Sequence, residues 1–284
     1  MAMSSDSWVK KSKLGTRVLV AVVLGPVVLG SAYIGRLPFV AVVSIIVLAA
    51  LVEYYALTRR QGARPFEAVG ILTSLGIIWG CYRTDWALVG GSLAVLVGLA
   101  ALAQVFRGPE GSIEHLATTV FGPAYVSLLF SHLLLVRELP LRVGLPYRNA
   151  GLWIVGLILV VWICDTGAFF VGASFGRRKL APTVSPNKTW EGAIAGFVCG
   201  ELAALALRPL FFPALGVREA LCIGAIVGVL GQASDLTESL LKRDVGVKDS
   251  SQLIPGHGGM LDRFDSFFLA APGFYWFLRI VVFR

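Results

Sequence analysis

Three acids in the second half of the chain, Asp165, Asp235 and Glu238, stand in or at the ends of long apolar runs, and two more, Asp262 and Asp265, lead into the last one. A charged acid deep in a membrane costs about 2.5–3.5 kcal/mol on insertion scales, so each needs a partner or a wet cavity. On a helix, Asp235, Glu238 and Lys242 (i, i+3, i+7) share one face, as do Asp262 and Asp265 (i, i+3). Between them runs Pro255-Gly256-His257-Gly258-Gly259, which cannot be a helix interior and reads as a tight turn returning the chain to the membrane surface. Such a turn would let the two acidic pairs meet in one pocket. Hard carboxylate oxygens suit magnesium, which is held by one or two carboxylates together with substrate phosphates. Lys242, Arg243, Lys248 and Arg263 supply positive charge for those phosphates. Opposite charges pairing on a solvated loop would give the same composition.

A second polar block precedes the seventh apolar run. Asp165, Phe169 and Gly172 lie along one helical face, with Gly176 marking its end. The basic stretch that follows carries Ser185, Asn187 and Lys188; Ser185 or Asn187 is placed to cap a helix start, where free amides bind phosphate, and Lys188 adds a charge-assisted contact. Ordinary capping explains any one of these residues alone. Motifs for Walker-type ATPases, serine hydrolases, zincins and dinucleotide-binding folds are absent from the sequence. His257, flanked by glycine, lacks a partner that would make it a general base and reads as a turn-stabilising or phosphate-contacting residue. Cys81, Cys164, Cys199 and Cys222 show no metal spacing and read as small buried hydrophobes.

The elements that must carry these residues follow from composition. Of 284 residues, 56% are hydrophobic and 15% charged, with a mean hydropathy of +0.78. A water-soluble domain runs nearer ~25% charged. The expected fold class is therefore all-α: a polytopic integral membrane protein with about nine transmembrane helices. The spans are Val18–Gly35, Leu37–Val52, Ala68–Tyr82, Trp86–Phe106, Leu116–Val136, Asn149–Cys164, Gly192–Leu207, Ala220–Ser234 and Phe264–Phe283. The first follows Lys10, Lys11, Lys13 and Arg17 and reads as a retained span, since another apolar run follows at once. The organisation expected is a cytoplasmic tail over 1–16, a transmembrane scaffold over 17–148 and a catalytic region over 149–284 with cytoplasmic loops at 173–191 and 239–263.

The net charge is +8. Basic residues concentrate in the tail and in the second, sixth and eighth loops, which with nine spans fall on one side, the cytoplasm by the positive-inside rule. Arg137, Arg142 and Arg148, read as a fifth loop, oppose that count. With no basic helix, aromatic platform or zinc-finger spacing, no nucleic-acid partner is expected. The first half offers little chemistry: Gly90, Gly91 and Gly98 read as sites of close helix contact, Glu53 as a snorkelling surface residue, His132 as a hydrogen-bonded helix residue, and Glu110, Glu114 and His115 as a loop.

The segment Ser239–Asp265 resembles the C-terminal signature of the phosphatidate cytidylyltransferases (CDP-diglyceride synthases): S-x-x-K-R-x4-K-D, a spacer, then P-G-H-G-G-x-x-D-R-x-D. Ser239, Lys242, Arg243, Lys248, Asp249, Pro255 to Gly259, Asp262, Arg263 and Asp265 fill it. The blocks GRRKLAP and SPNKTWEG are also similar to the family. Cys164, Thr166 and Ser234 depart from its usual residues without removing an acid. The resemblance implies cytidylyl transfer from CTP to phosphatidic acid, magnesium as cofactor, a homodimer, and a location in the cell inner membrane or plasma membrane with the site facing the cytoplasm. It implies Asp235, Asp262 and Asp265 as metal ligands, with Lys188 and Arg263 also catalytic. It further implies substrate contacts from Asp165, Ser185, Asn187, Lys188, Lys242, Arg243, Lys248 and His257. The alternatives are a related CTP-dependent lipid transferase or lipid kinase, and an ion-coupled secondary transporter.

Overall fold

The computed structural model describes residue 22 and residues 24–251 and 258–284. The basic tail residues and His257 lie outside these. The helices are α1 (Leu24–Ile34), α2 (Arg36–Arg60), α3 (Glu67–Arg83), α4 (Trp86–Arg107), α5 (Ser112–Val143), α6 (Arg148–Phe175), α7 (Trp190–Phe211), α8 (Val217–Asp244) and α9 (Leu261–Val282). Over the described residues, the apolar runs of the sequence fall on these helices, because uninterrupted apolar chain in lipid must satisfy its backbone internally.

Among the described residues, seven of the helices are long and apolar enough to cross a membrane. The expectation of about nine spans is met only to that extent. α3 has 17 residues, short of the ~20 residues a span needs, and the described part of α1 is Leu24–Ile34. The protein is an all-α, multi-span membrane protein with one addition. A short antiparallel hairpin, β1 (Lys179–Ala181) and β2 (Ser185–Thr189), joins α6 to α7, pairing Lys179 with Thr189 and Ala181 with Ser185.

α6 and α7 pack as a close pair, and the sequence of α7 explains why. Gly192, Gly196 and Gly200 recur every four residues and face Cys164, Ala168 and Gly172, which recur likewise on α6. A Cβ on Gly196 would lie 2.9 Å from that of Ala168, and one on Gly192 would lie 2.8 Å from the Ala168 carbonyl oxygen. Small residues thus let the two backbones approach. Gly90, Gly91 and Gly98 of α4 do not serve this purpose: a Cβ on any of them meets nothing within 4 Å.

Two other expectations for the first half are corrected. Arg137 is not a loop residue, because α5 continues through Pro140 to Val143. It is 1% exposed and donates to the carbonyls of Ala32, Tyr33, Ile34 and Tyr147, closing the C-terminal end of α1. Glu114 and His115 belong to the first turn of α5 rather than a loop, and His115 Nδ1 accepts from the Arg64 amide at 3.2 Å. His132 is, as expected, a hydrogen-bonded helix residue, its Nδ1 lying 2.9 Å from the Leu128 carbonyl oxygen.

Candidate active site

The hairpin brings the two polar blocks together. At its entrance, Gly176 ends α6 and the amides of Arg177 and Arg178 donate to the Glu191 carboxylate in the first turn of α7. At its exit, Thr189 caps α7, its Oγ1 accepting from the Gly192 amide at 3.2 Å. The cap is therefore Thr189, not Ser185 or Asn187. Those two lie in β2, whose extended backbone carries Lys188 out over α8.

Lys188 Nζ lies 2.6 Å from Asp235 Oδ2. Asp235 sits in the first turn after a π-turn over Val227–Gly231 that interrupts α8. Asp265 stands at the break between the first turn of α9 and its main body. The break is held by Ser234, whose hydroxyl donates to the Asp265 carbonyl and accepts from the Leu269 amide at 3.2 Å. The carboxylates of Asp165, Asp235 and Asp265 are close enough to act on one another electrostatically, and Ser266 Oγ lies 3.4 Å from Asp165 Oδ2.

Together these residues line one cavity of about 1150 Å³, at or above the upper range of small-molecule sites. Asp165, Ser185, Asn187, Lys188, Asp235, Asp262, Arg263 and Asp265 all face it. Its lining is mixed: Leu24 and Val28 of α1, Ile158, Trp162 and Phe169 of α6 and Phe267 of α9 are apolar. Phe169 is 68% exposed and Trp162 45%, so the apolar side opens outward. Lys179 and Gln232 also line the cavity, though neither stood out in the sequence: Lys179 belonged to a run of three basic residues, and Gln232 carries no motif. The Gln232 amide donates to the carbonyls of Ala193 and Gly228, tying α8 to α7 beside the acids.

The other sequence candidates lie behind or beside the cavity. Lys242 bridges Glu238 and Asp262, with Nζ 2.6 Å from Asp262 Oδ1. The Arg243 guanidinium donates to Val184 O and Val247 O, joining the end of α8 to the hairpin turn. Lys248 is exposed. Asp262 lines the cavity, yet its Oδ2 accepts from the Gly259 and Ser250 amides at 2.8 and 2.9 Å and lies 2.8 Å from Ser250 Oγ. Glu53 is not a surface residue. It is 4% exposed and receives donors from the segment leading into α9.

Among the described residues, no group of three or more His, Cys, Asp or Glu is preassembled to hold a metal ion. The donor chemistry nevertheless suits a hard cation. Asp165, Asp235 and Asp265 present mutually repelling carboxylates to one cavity, and magnesium takes one or two such groups plus substrate oxygens. Asp262 fits less well, since both its oxygens already accept hydrogen bonds.

These features define a class: a multi-span membrane protein whose large cavity is lined by acidic, basic and apolar side chains together. The chain belongs to the cytidylyltransferase family, which it matches over residues 15–281. It is 32% identical over 278 residues to the phosphatidate cytidylyltransferase of Bacillus subtilis (strain 168), covering 93% of this chain and 97% of that one. The phosphatidate cytidylyltransferase of Staphylococcus saprophyticus is 36% identical over 210 residues, 72% of this chain and 76% of the relative. A match to the Escherichia coli K12 protein YnbB, 36% identical over 182 residues, spans 64% of this chain and 60% of that protein. The family expected from the C-terminal motif is the family found.

Proposed function

We propose that this protein is a phosphatidate cytidylyltransferase, converting CTP and phosphatidic acid to CDP-diacylglycerol and diphosphate. The observation that carries this reading is the cavity, whose lining combines lysine, arginine and carboxylate groups with apolar side chains of α1, α6 and α9 suited to acyl chains. A closed polar pocket would strand acyl chains in water, and a fully apolar one would desolvate nucleotide phosphates.

In this reading a lipid phosphate oxygen attacks the α-phosphorus of CTP. The new P–O bond forms as the bond to the bridging α–β oxygen breaks, and diphosphate leaves. The nucleophile is already an anion, so no serine or cysteine is required; the barrier lies in bringing two anions together in line. Lys188 and Arg263, with Lys179 beside them, are placed to hold phosphate oxygens, and Ser185 and Asn187 offer polar contacts on the hairpin. Asp235 and Asp265, with Asp165 beside them, would hold magnesium; Asp262 is assigned to orienting Lys242 and the start of α9. A bound magnesium ion would neutralise phosphate charge and polarise the α-phosphorus.

The proposed setting is the bacterial inner or plasma membrane, as a homodimer, with the cavity facing the cytoplasm. Supporting this orientation, the basic loops share one end of the molecule: Gln61 donates to Asp244, Arg243 to Val184, and Arg107 to Arg64. The test is direct. Purified protein in liposomes containing phosphatidate, given labelled CTP and magnesium, should form CDP-diacylglycerol; EDTA should stop it and ATP should not replace CTP. Phosphorylated lipid without cytidylyl transfer would instead identify a CTP-dependent lipid kinase.

A further inference from the structure

Glu53 lies in α2, more than a hundred residues before any acid of the cavity, and four donors surround its carboxylate. Oε1 accepts from the Met260 amide at 2.9 Å and the Ser251 hydroxyl; Oε2 accepts from the Leu261 amide at 2.8 Å and lies 3.1 Å from Ser250 Oγ. That fills the roughly four acceptor sites a carboxylate offers. Met260 and Leu261 are the first amides of α9, groups with no partner inside their own helix. Glu53 thus closes the start of α9 from another helix.

Neighbouring residues show how closely it is fitted. Gly258 has φ +82°, in the left-handed region that favours glycine, and a Cβ on Gly259 would lie 2.7 Å from Glu53 Cδ. The second glycine of the pair is therefore needed to admit Glu53. Ser250 Oγ lies between Glu53 and Asp262, 3.1 and 2.8 Å from their oxygens, so its one proton can be given to either acid. From Asp262 the chain of contacts continues to Lys242 and Glu238 of α8.

We infer that Glu53 is a positioning residue of the transfer reaction: from α2 it fixes the first turn of α9, and so sets Arg263 and Asp265 against Asp235 of α8. The inference rests on the cytidylyltransferase reading for its kinetic consequence. A displacement of about 1 Å at a reacting centre costs on the order of 10²-fold in rate. The N-terminal half then supplies part of the site's geometry rather than a scaffold alone.

The experiment compares wild type, Glu53→Gln and Ser251→Ala in liposomes. Glutamine places an NH₂ group against two of the donors. We expect kcat to fall about 10- to 100-fold and the magnesium concentration for half-activation to rise at least about fivefold, while KM for phosphatidate stays within about twofold. Ser251→Ala removes one donor and leaves the buried carboxylate, and should show the same signature at about 3- to 5-fold. Rates and magnesium dependence within about twofold of wild type in either variant overturn the inference. So does a loss that merely tracks the folded fraction by size exclusion. If wild type forms no cytidylylated lipid, the functional reading fails by itself. Calorimetric magnesium binding then still decides: weaker binding in Glu53→Gln than in wild type upholds the positioning role, and equal binding overturns it.

Discussion

Asp235 and Asp265 share a motif with Asp262 but not its surroundings. Asp235 meets Lys188 and the Ser239 hydroxyl, and Asp265 accepts from the Ser266 amide at 2.7 Å and shares its space with two further carboxylates, whereas Asp262 is held by two backbone amides, a serine hydroxyl and Lys242. The substitutions should therefore separate. Asp235→Asn and Asp265→Asn remove ligand charge while disturbing fewer hydrogen bonds than Asp262→Asn, and each should lower kcat by at least about 10²-fold with a smaller change in melting temperature. Asp262→Asn turns an amide NH₂ towards donors that lose their acceptor, a cost of about 1–3 kcal/mol. It should lower both melting temperature and turnover. Thermal unfolding in detergent beside a magnesium titration checks all three, and near-native rates for Asp235→Asn and Asp265→Asn would remove them as ligands. Lys188→Ala should raise KM for CTP more than it lowers stability, read from the same assay.

At the scale of elements, the α6–α7 seam and the hairpin together set the distance between Asp165 and Lys188. Gly196→Val would force Ala168 and the Cys164 carbonyl aside, so it should cost about 1–3 kcal/mol and reduce turnover as well. Gly98→Val, on the open face of α4, should lie within about 0.5 kcal/mol of wild type. Paired melting and activity measurements test this, and equal effects at the two positions would dismiss the seam. The seam was legible only as a glycine-rich run, because the sequence does not show which helix faces it. The helices were legible because lipid allows few other structures for uncharged chain. The hairpin was not: Ser-Pro-Asn-Lys-Thr is a poor strand by composition, and its register comes from Glu191 and Arg243, which reach it from neighbouring helices. Capping was expected at Ser185 or Asn187 because the residue types allow it; Thr189 wins because the strand continues to that point. Glu53 carried no local signal at all, since its donors come from residues about two hundred positions away.

Across the whole molecule, the distribution of wall chemistry makes the strongest demand on function. The acids and bases come from α6, both strands of the hairpin, α8 and α9, while the outward apolar wall comes mainly from α1 and α6. The two substrates should therefore be separable by mutation. Gly25 of α1 lines the apolar side, and a Cβ there would lie 3.9 Å from Trp162, so a large side chain would project beside the tryptophan without touching the acids. Gly25→Trp should raise KM for phosphatidate about tenfold, leave KM for CTP within about twofold, and leave the magnesium dependence unchanged. Mixed-micelle kinetics, varying the surface fraction of phosphatidate at saturating CTP and then the reverse, resolve the two constants. A rise in KM for CTP with none for phosphatidate would place the lipid elsewhere and assign the α1 side to the nucleotide. An equal rise in both would mean that the wall is not divided between the substrates, and the amphiphilic cavity would lose its role as the meeting place of a water-soluble nucleotide and a membrane-bound acceptor.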